Sequence, residues 1–377
     1  MALKKICLVT TSPLIVNFFL VPYLRRLREI GEVHLALDTS GNVPLKETSG
    51  AITYSIPIRR QIAPWHDLLT LIQLTRHFAR NRFDIVHSFG PKAGLLTALA
   101  GWLARIPLRL HTFTGQVWIT RKGVMRWILR AADKIIATLN THILADSPSQ
   151  RDILVEEDIV RAEKCKVLAS GSVSGVDTSR FRPDPVARGE LRAALGIPLN
   201  AMTFLYLGRL TRDKGILDLA RAFDSARLES GYLVFVGPDE DGLQHGIEHL
   251  CGPGRAKLRF AGYTPAPERY LAAADVLCLP SYREGFGSTI IEAAAAGIPA
   301  VGSRIYGITD AIIDGRTGLL HAPGAIEEIA ACLHRLANDD ALRSALGNAA
   351  RQRALSEFTQ DRVMSAVLAF YRGLLDV

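Results

Sequence analysis

Two glutamates, Glu284 and Glu292, stand with seven residues between them, around the run Gly285-Phe286-Gly287-Ser288-Thr289. Glycines at 285 and 287 let a backbone come close to a ligand, and the Ser-Thr-Ile-Ile-Glu-Ala-Ala-Ala-Ala stretch is a good helix former, so a helix opens in this turn. A helix start offers unpaired N–H groups to an anion. Glu284 falls in the loop before that helix and Glu292 inside it. At about 1.5 Å rise per residue the two carboxylates flank a gap of diphosphate size. Carboxylates are poor partners for phosphate but accept hydrogen bonds from paired hydroxyls, so each suits a sugar at one end of a nucleotide-sugar. The alternative is a solvated loop charge and a helix-surface charge. Against it, residues 275–280 read as a buried strand that delivers the loop to the carboxyl edge of a sheet.

A second group lies upstream. Arg209 and Lys214 follow Gly208 in a loop framed by Gly208 and Gly215. When a glycosyl group leaves a nucleoside diphosphate, the departing diphosphate gains negative charge, and preorganised cations and N–H donors are the main catalytic resource. An Arg and a Lys on a surface loop are unremarkable alone; the glycine frame turns them toward phosphate.

These segments resemble family 4 glycosyltransferases, retaining enzymes of the two-domain GT-B fold. The stretch from Glu284-Gly285-Phe286-Gly287 to Glu292 is similar to the family's Glu-x7-Glu signature. The stretch from Gly208-Arg209-Leu210 to Lys214-Gly215 is similar to its phosphate-binding loop, Val236-Gly237-Pro238 to its next strand end, and Phe260-Ala261-Gly262-Tyr263 to the loop beside the base. The likeness is strong over residues 167–320 and looser before them. It implies that Arg209 and Lys214 neutralise the leaving group, that Glu284 contacts the donor sugar near the reaction centre, and that Glu292 holds the ribose hydroxyls. It further implies that the N–H groups of Phe286, Gly287, Ser288 and Thr289 bind the diphosphate and sugar, while backbone near Gly208, Gly262 and Tyr263 completes the donor pocket. Asp239-Glu240-Asp241 mimics an Asp-x-Asp metal motif, but it falls where the family has a solvated turn and needs no metal. No cofactor is implied, the nucleotide-sugar being a co-substrate.

The acceptor side departs from the family pattern. Where many members have a glycine-rich loop after the first strand, this chain has Thr10-Thr11-Ser12-Pro13, and where many have His-Gly after the fifth strand it has His111-Thr112-Phe113-Thr114-Gly115. Thr114 takes the expected histidine position, and His111 is read either as an acceptor contact or as a core histidine. Ser12, Ser88, Lys92, His111 and Thr114 are the acceptor-side candidates.

The elements that must position these groups alternate along the chain. Residues 5–10, 33–38, 52–58, 84–89, 108–114, 142–145 and 166–169 read as strands with helices between most of them, the mark of a doubly wound parallel sheet. A second series, 203–208, 232–236, 257–261, 275–279 and 300–303, follows a Gly-, Ser- and Pro-rich hinge at 170–185. The expected fold class is therefore α/β, with 377 residues suiting two Rossmann-like domains. By resemblance these face each other across a cleft. Residues 1–175 bind the acceptor and 176–358 the nucleotide-sugar, and a final helix at 359–377 crosses back to the first domain.

The net charge of +8 is uneven: residues 1–165 hold 22 Lys and Arg against 13 Asp and Glu, and the remainder 23 against 24. Without a helix-turn-helix, zinc-finger or RNA-recognition pattern, this excess points to phosphorylated substrates or anionic lipid rather than nucleic acid. Two apolar-basic stretches, 18–28 and 117–130, the latter carrying Trp118, Trp127, Ile128, Arg121, Lys122, Arg126 and Arg130, suit either a helix lying on a bilayer or an ordinary helix packed on the sheet. No apolar run reaches the roughly 18 residues of a membrane span, the start lacks a signal-peptide pattern, and five scattered cysteines suit a reducing cytoplasm. The expected function is retaining transfer of a hexose or N-acetylhexosamine from a UDP-sugar to a hydroxyl of a glycan or lipid-diphosphate-linked acceptor, in cell-surface polysaccharide synthesis. A sugar-nucleotide 2-epimerase and a non-catalytic nucleotide-sugar binder are the alternatives.

Overall fold

The structure, a computed structural model, describes residues 3–41, 43–59 and 61–376. The chain divides into two compact units, Met1–Ser174 with Gln360–Val377, and Gly175–Thr359.

The first unit runs β1 (Lys4–Val9), α1 (Pro13–Ile15), a π-helical turn (Val16–Leu20), α2 (Val21–Leu27), β2 (Gly31–Leu37), β3 (Ile52–Ser55), α3 (Pro64–Asn81), β4 (Ile85–Phe89), α4 (Pro91–Leu103), β5 (Leu108–Phe113), α5 (Gly123–Leu139), β6 (His142–Ala145), α6 (Pro148–Glu156) and β7 (Cys165–Val167). Its sheet is parallel throughout, in the order β3-β2-β1-β4-β5-β6-β7. Strands buried on both faces read as continuous apolar runs, and the period of two sends their side chains alternately to two cores. Ile6 and Leu8 pack with Leu24 and Leu27 of α2 on one face, while Cys7 and Val9 meet Leu74 and Phe78 of α3 on the other.

The second unit runs α7 (Pro185–Ala194), β8 (Met202–Leu207), α8 (Ile216–Ser225), β9 (Gly231–Val236), α9 (Gln244–Leu250), β10 (Leu258–Phe260), α10 (Pro267–Ala273), β11 (Val276–Leu279), α11 (Ser288–Ala295), β12 (Ala300–Ser303), α12 (Ile308–Ala311), β13 (Gly318–His321), α13 (Ile326–Asn338) and α14 (Asp340–Glu357). Its parallel sheet has the order β10-β9-β8-β11-β12-β13. In both sheets the order reverses beside the first strand of the series, between β1 and β4 and between β8 and β11, where doubly wound folds open a crevice for ligands.

The last helix, α15 (Gln360–Leu375), belongs to the first unit. Val363, Met364, Val367 and Tyr371 join the core around α2 and β1. Tyr371 is pinned there by a hydrogen bond of 2.5 Å between its hydroxyl and Nδ1 of the buried His87, whose Nε2 meets Thr112 Oγ1 at 2.8 Å. No helix among the described residues is long and apolar enough to cross a membrane.

Candidate active site

In the second unit the ends of β8, β9 and β10 form a ledge of bare backbone. The N–H of Gly208 donates to Val236 O at 2.9 Å, and that of Gly237 to Gly262 O at 2.7 Å. A Cβ at Gly237 would lie 1.9 Å from Gly208 O, so no side chain fits there. Gly262, with φ +63°, has open space where a Cβ would be, and Tyr263 beside it is half exposed.

The loop after β8 carries the two cations. Lys214 Nζ lies 2.5 Å from Glu284 Oε1, and Ser281 Oγ donates to the same oxygen at 2.9 Å. Arg209 Nη1 meets Glu240 Oε2 at 2.7 Å, while its carbonyl accepts the Tyr206 hydroxyl at 2.7 Å. Gly215, at φ +66°, closes the loop against the end of β11, where a Cβ would stand 2.0 Å from Pro280 O. Asp213 completes the clasp through Arg283 at 2.7 Å. The loops that follow β8 and β11, distant in sequence, are thus held side by side, and Arg209, Lys214 and Glu284 come from those two loops.

Gly287, at φ +73°, is the residue that turns the chain into α11, whose first turn no side chain caps. Ser288 and Thr289 are its first two residues, and Phe286 is buried against Phe358 with ring centroids 5.2 Å apart. Glu292 sits in the next turn. Loss of water around it pushes its carboxyl up to about 8, Arg180 opposing the shift and Glu268 adding to it, and among the described residues it has no hydrogen-bond partner. A half-buried carboxyl without a partner is a vacant acceptor for a ligand's hydroxyls.

The three acids that mimic a metal motif are all engaged. Asp239 accepts from the N–H groups of Leu243 and Gln244, Glu240 holds Arg209, and Asp241 accepts from the N–H of Arg212. Among the described residues no cluster of three or more His, Cys, Asp or Glu could hold a metal ion.

The first unit places its candidates less uniformly. Ser12 precedes α1 without capping it through its side chain, and Thr114 is half-buried just past β5, before Gly115 at φ +113°. Ser88 and His111 prove to be core residues. Paired in register on β4 and β5, they are fully buried, with Ser88 Oγ 2.9 Å from His111 Nδ1. Gly94 of α4 leaves room for the imidazole, since a Cβ there would lie 2.4 Å from its Cε1. Burial pulls His111 down to about 3, so it is neutral. Neither residue exposes an atom to an acceptor, because their register turns them under the helices rather than toward the strand ends. Lys92 is held by Asp67 and by Gln61 O.

The two apolar-basic stretches are also more packed than their sequence suggests. Tyr23, Leu24 and Leu27 are core, while Arg25 pairs with Glu47 and Arg26 with Glu29 and Asp361. Trp118 is buried, donating from Nε1 to Asp133 Oδ2 at 2.8 Å beneath the guanidinium groups of Arg126 and Arg130. Trp127, Ile128, Arg121 and Lys122 do remain exposed. Sequence reasoning missed Tyr206 and Glu240 as the neighbours that fix Arg209, because a tyrosine inside an apolar strand and an acid in a turn carry no distinguishing signal.

The family described as glycosyl transferases group 1 matches residues 187–353, and the glycosyl transferase 4-like domain matches residues 21–171. The capsular polysaccharide biosynthesis glycosyltransferase CapM of Staphylococcus aureus is 28% identical over 349 residues, 91% of this chain and 90% of that protein. A D-inositol 3-phosphate glycosyltransferase of Actinosynnema mirum is 32% identical, over 78% of this chain and 73% of that protein. The Escherichia coli UDP-Gal:alpha-D-GlcNAc-diphosphoundecaprenol alpha-1,3-galactosyltransferase is 26% identical, over 75% and 74%. Among solved structures, Anabaena Alr3699/HepE in complex with UDP superposes with a TM-score of 0.80 at 18% identity, covering 98% of this chain and all of that one. WaaG, a glycosyltransferase involved in lipopolysaccharide biosynthesis, gives 0.77 at 18%, again over 98% and 100%. With both of its units matched by family and by fold, the chain belongs to the glycosyl transferases group 1 family and is a GT-B glycosyltransferase of glycan synthesis.

Proposed function

We propose that the chain is a retaining, metal-independent glycosyltransferase that moves a hexose or N-acetylhexosamine from its UDP-sugar to a hydroxyl of a lipid-diphosphate-linked glycan. The observation that carries this reading is the meeting of Lys214 with Glu284, beside Arg209 and the uncapped start of α11. One small region of the second unit holds cations and amides for a diphosphate and carboxylates for the sugars on either side of it. In the reaction the bond between the anomeric carbon and the β-phosphate oxygen breaks, and the acceptor oxygen bonds to that carbon from the same face. The acceptor proton passes to a phosphate oxygen of the departing UDP. Arg209, Lys214 and the amides of Phe286, Gly287, Ser288 and Thr289 take up the charge that develops on the leaving group. Glu284 orients the transferred sugar, Glu292 takes the ribose hydroxyls, and the base lies by Gly262 and Tyr263. Engagement of Asp239, Glu240 and Asp241 with protein partners favours this division of labour over a metal at that turn.

The donor and acceptor classes follow the E. coli relative, whose name gives a UDP-sugar and a diphosphate-linked lipid acceptor. Ser12, just past β1, and Thr114, just past β5, are the acceptor-side residues this reading keeps. Five free thiols, four of them buried, suit work in a reducing cytoplasm. The test is a panel of UDP- and GDP-sugars assayed with diphosphate-linked lipid acceptors. UDP release that depends on the acceptor is expected, with the anomeric configuration kept in the product. Absence of release from every pair by folded protein, or an inverted product, overturns the proposal.

A further inference from the structure

Helices α3, α4 and α5 lie side by side as one layer on a face of the first sheet. An ordinary layer turns its apolar stripe inward and its polar face to water. Here the outward face is apolar as well. On α3 and the residues before it, Ile62, Trp65 (80% exposed), Leu68, Leu69 (65%) and Ile72 project outward, while Thr70, Leu74 and Phe78 fill the inner stripe. Trp102 and Leu103 end α4 in the same way, and Val124, Met125, Trp127 (71%) and Ile128 open α5. Between α3 and the end of α4 runs an open groove of about 370 Å³, lined by Leu68, Leu71, Ile72, Thr75, Arg76 and Leu103. Scattered exposed apolar residues are normal, but a layer of three helices with large apolar side chains on each outer surface marks an interaction face.

The charge around that face selects the partner. Residues 61–139, which span the layer, hold 11 Lys and Arg against 3 Asp and Glu, a balance of +8 within that span, although Arg126 and Arg130 pair with Glu157 and Lys134 with Asp158 just outside it. Of the three acids, Asp133 is buried under Trp118 and Asp67 is paired with Lys92. Arg76, Arg80, Arg105, Arg121 and Lys122 are exposed and have no carboxylate partner among the described residues. Tryptophan with leucine and isoleucine, rimmed by unpaired arginine, is the composition that settles at the headgroup level of an anionic bilayer. We infer that the outer surface of the α3–α4–α5 layer docks the protein on anionic membrane, with α3 as its principal anchor, a helix the sequence did not single out. This extends the reading of a lipid-linked acceptor, because an enzyme held on the bilayer meets such an acceptor in two dimensions.

Flotation of the full chain with lipid vesicles, in the absence of donor and acceptor, tests the inference separately from the transfer reaction. Binding is expected to vesicles of phosphatidylcholine with about one-third phosphatidylglycerol and not to phosphatidylcholine alone, falling steeply as salt rises. The double substitution Trp65→Ser, Leu69→Ser is expected to lower the partition coefficient at least tenfold. Because both side chains point to solvent, its melting temperature and its transfer to a detergent-soluble acceptor should match those of the parent. The inference is overturned if the parent fails to float at low salt or if the double variant floats as the parent does. It is also overturned if the parent is a dimer in solution that the double substitution dissociates, since the face then belongs to a second copy.

Discussion

At the residue scale the account turns on Lys214, Glu284 and Glu292. Removing Lys214 deletes a cation from the proposed leaving-group site and leaves Glu284 with Ser281 but without its ion-pair partner at 2.5 Å. Lys214→Ala should lower kcat by about 10²–10³-fold, the loss typical of one preorganised charge donor, with the protein still folded by circular dichroism; an unchanged kcat would remove Lys214 from the chemistry. Glu292 gives a pH signature. Its carboxyl is raised from the ordinary 4.5 to about 8, so it is largely protonated in the free protein at neutral pH. Ribose hydroxyls donate to the ionised form, so UDP binding should expel a proton, and affinity should climb as pH rises between about 4.5 and 8. The raised value also means that Glu292 favours folding below pH 4.5 and withdraws that support as pH rises toward 8. Calorimetry of UDP binding in two buffers of different ionisation enthalpy reads the proton, and Glu292→Gln should abolish it. These residues were legible in the sequence as a candidate site because glycine spacing and paired carboxylates suit a ligand. Ser88 and His111 were not, because polar residues in a strand look alike whether they face a ligand or a helix, and only the register against Gly94 of α4 decides.

At the element scale, the site depends on how closely the loops after β8 and β11 can press together. Gly215 is the point of contact, left-handed and with Pro280 O where a side chain would begin. Gly215→Ala therefore costs about 1–2 kcal/mol for the left-handed backbone alone, and the clash adds to it. The expected result is a melting temperature lower by roughly 5 °C together with weaker UDP binding, since the Lys214 loop must back away; full retention of both would refute the clasp. Most strands were readable from their apolar runs, since strands buried on both faces leave little doubt. β13 was not, because Gly318-Leu-Leu-His321 is four residues long and opens on a glycine. That glycine is required: a Cβ at 318 would lie 2.4 Å from Ala300 O on the neighbouring strand. The stretch at 117–130 reads as amphipathic, but its tryptophans divide, Trp118 buried on Asp133 and Trp127 outside, which composition alone does not separate.

At the scale of the molecule, the chain leaves its first unit near Ser174 and returns near Gln360. The return helix α15 is fixed by apolar packing and by the Tyr371–His87 bond. Tyr371→Phe would leave Nδ1 of a fully buried histidine without a partner, costing about 1–3 kcal/mol in denaturant unfolding; no change would show that a water replaces the hydroxyl. Burial holds His87 well below the ordinary 6.5, and His111 at about 3. Unfolded, both take up protons below pH 6.5, so the first unit should lose stability as pH falls from there, by up to about 1.4 kcal/mol per pH unit for each histidine. The two-sheet plan and the homing of the last helix follow from alternation and resemblance. The outward apolar surface of α3 does not, since a helix apolar on more than one side reads from sequence as one buried on more than one side.

The most direct measurement is a crystal structure of the protein with UDP. The account places the diphosphate within about 3 Å of the Arg209 and Lys214 side chains and of the first amides of α11, with the ribose hydroxyls on Glu292. A diphosphate lodged in the first unit, or one in the second unit touching neither cation, would contradict it.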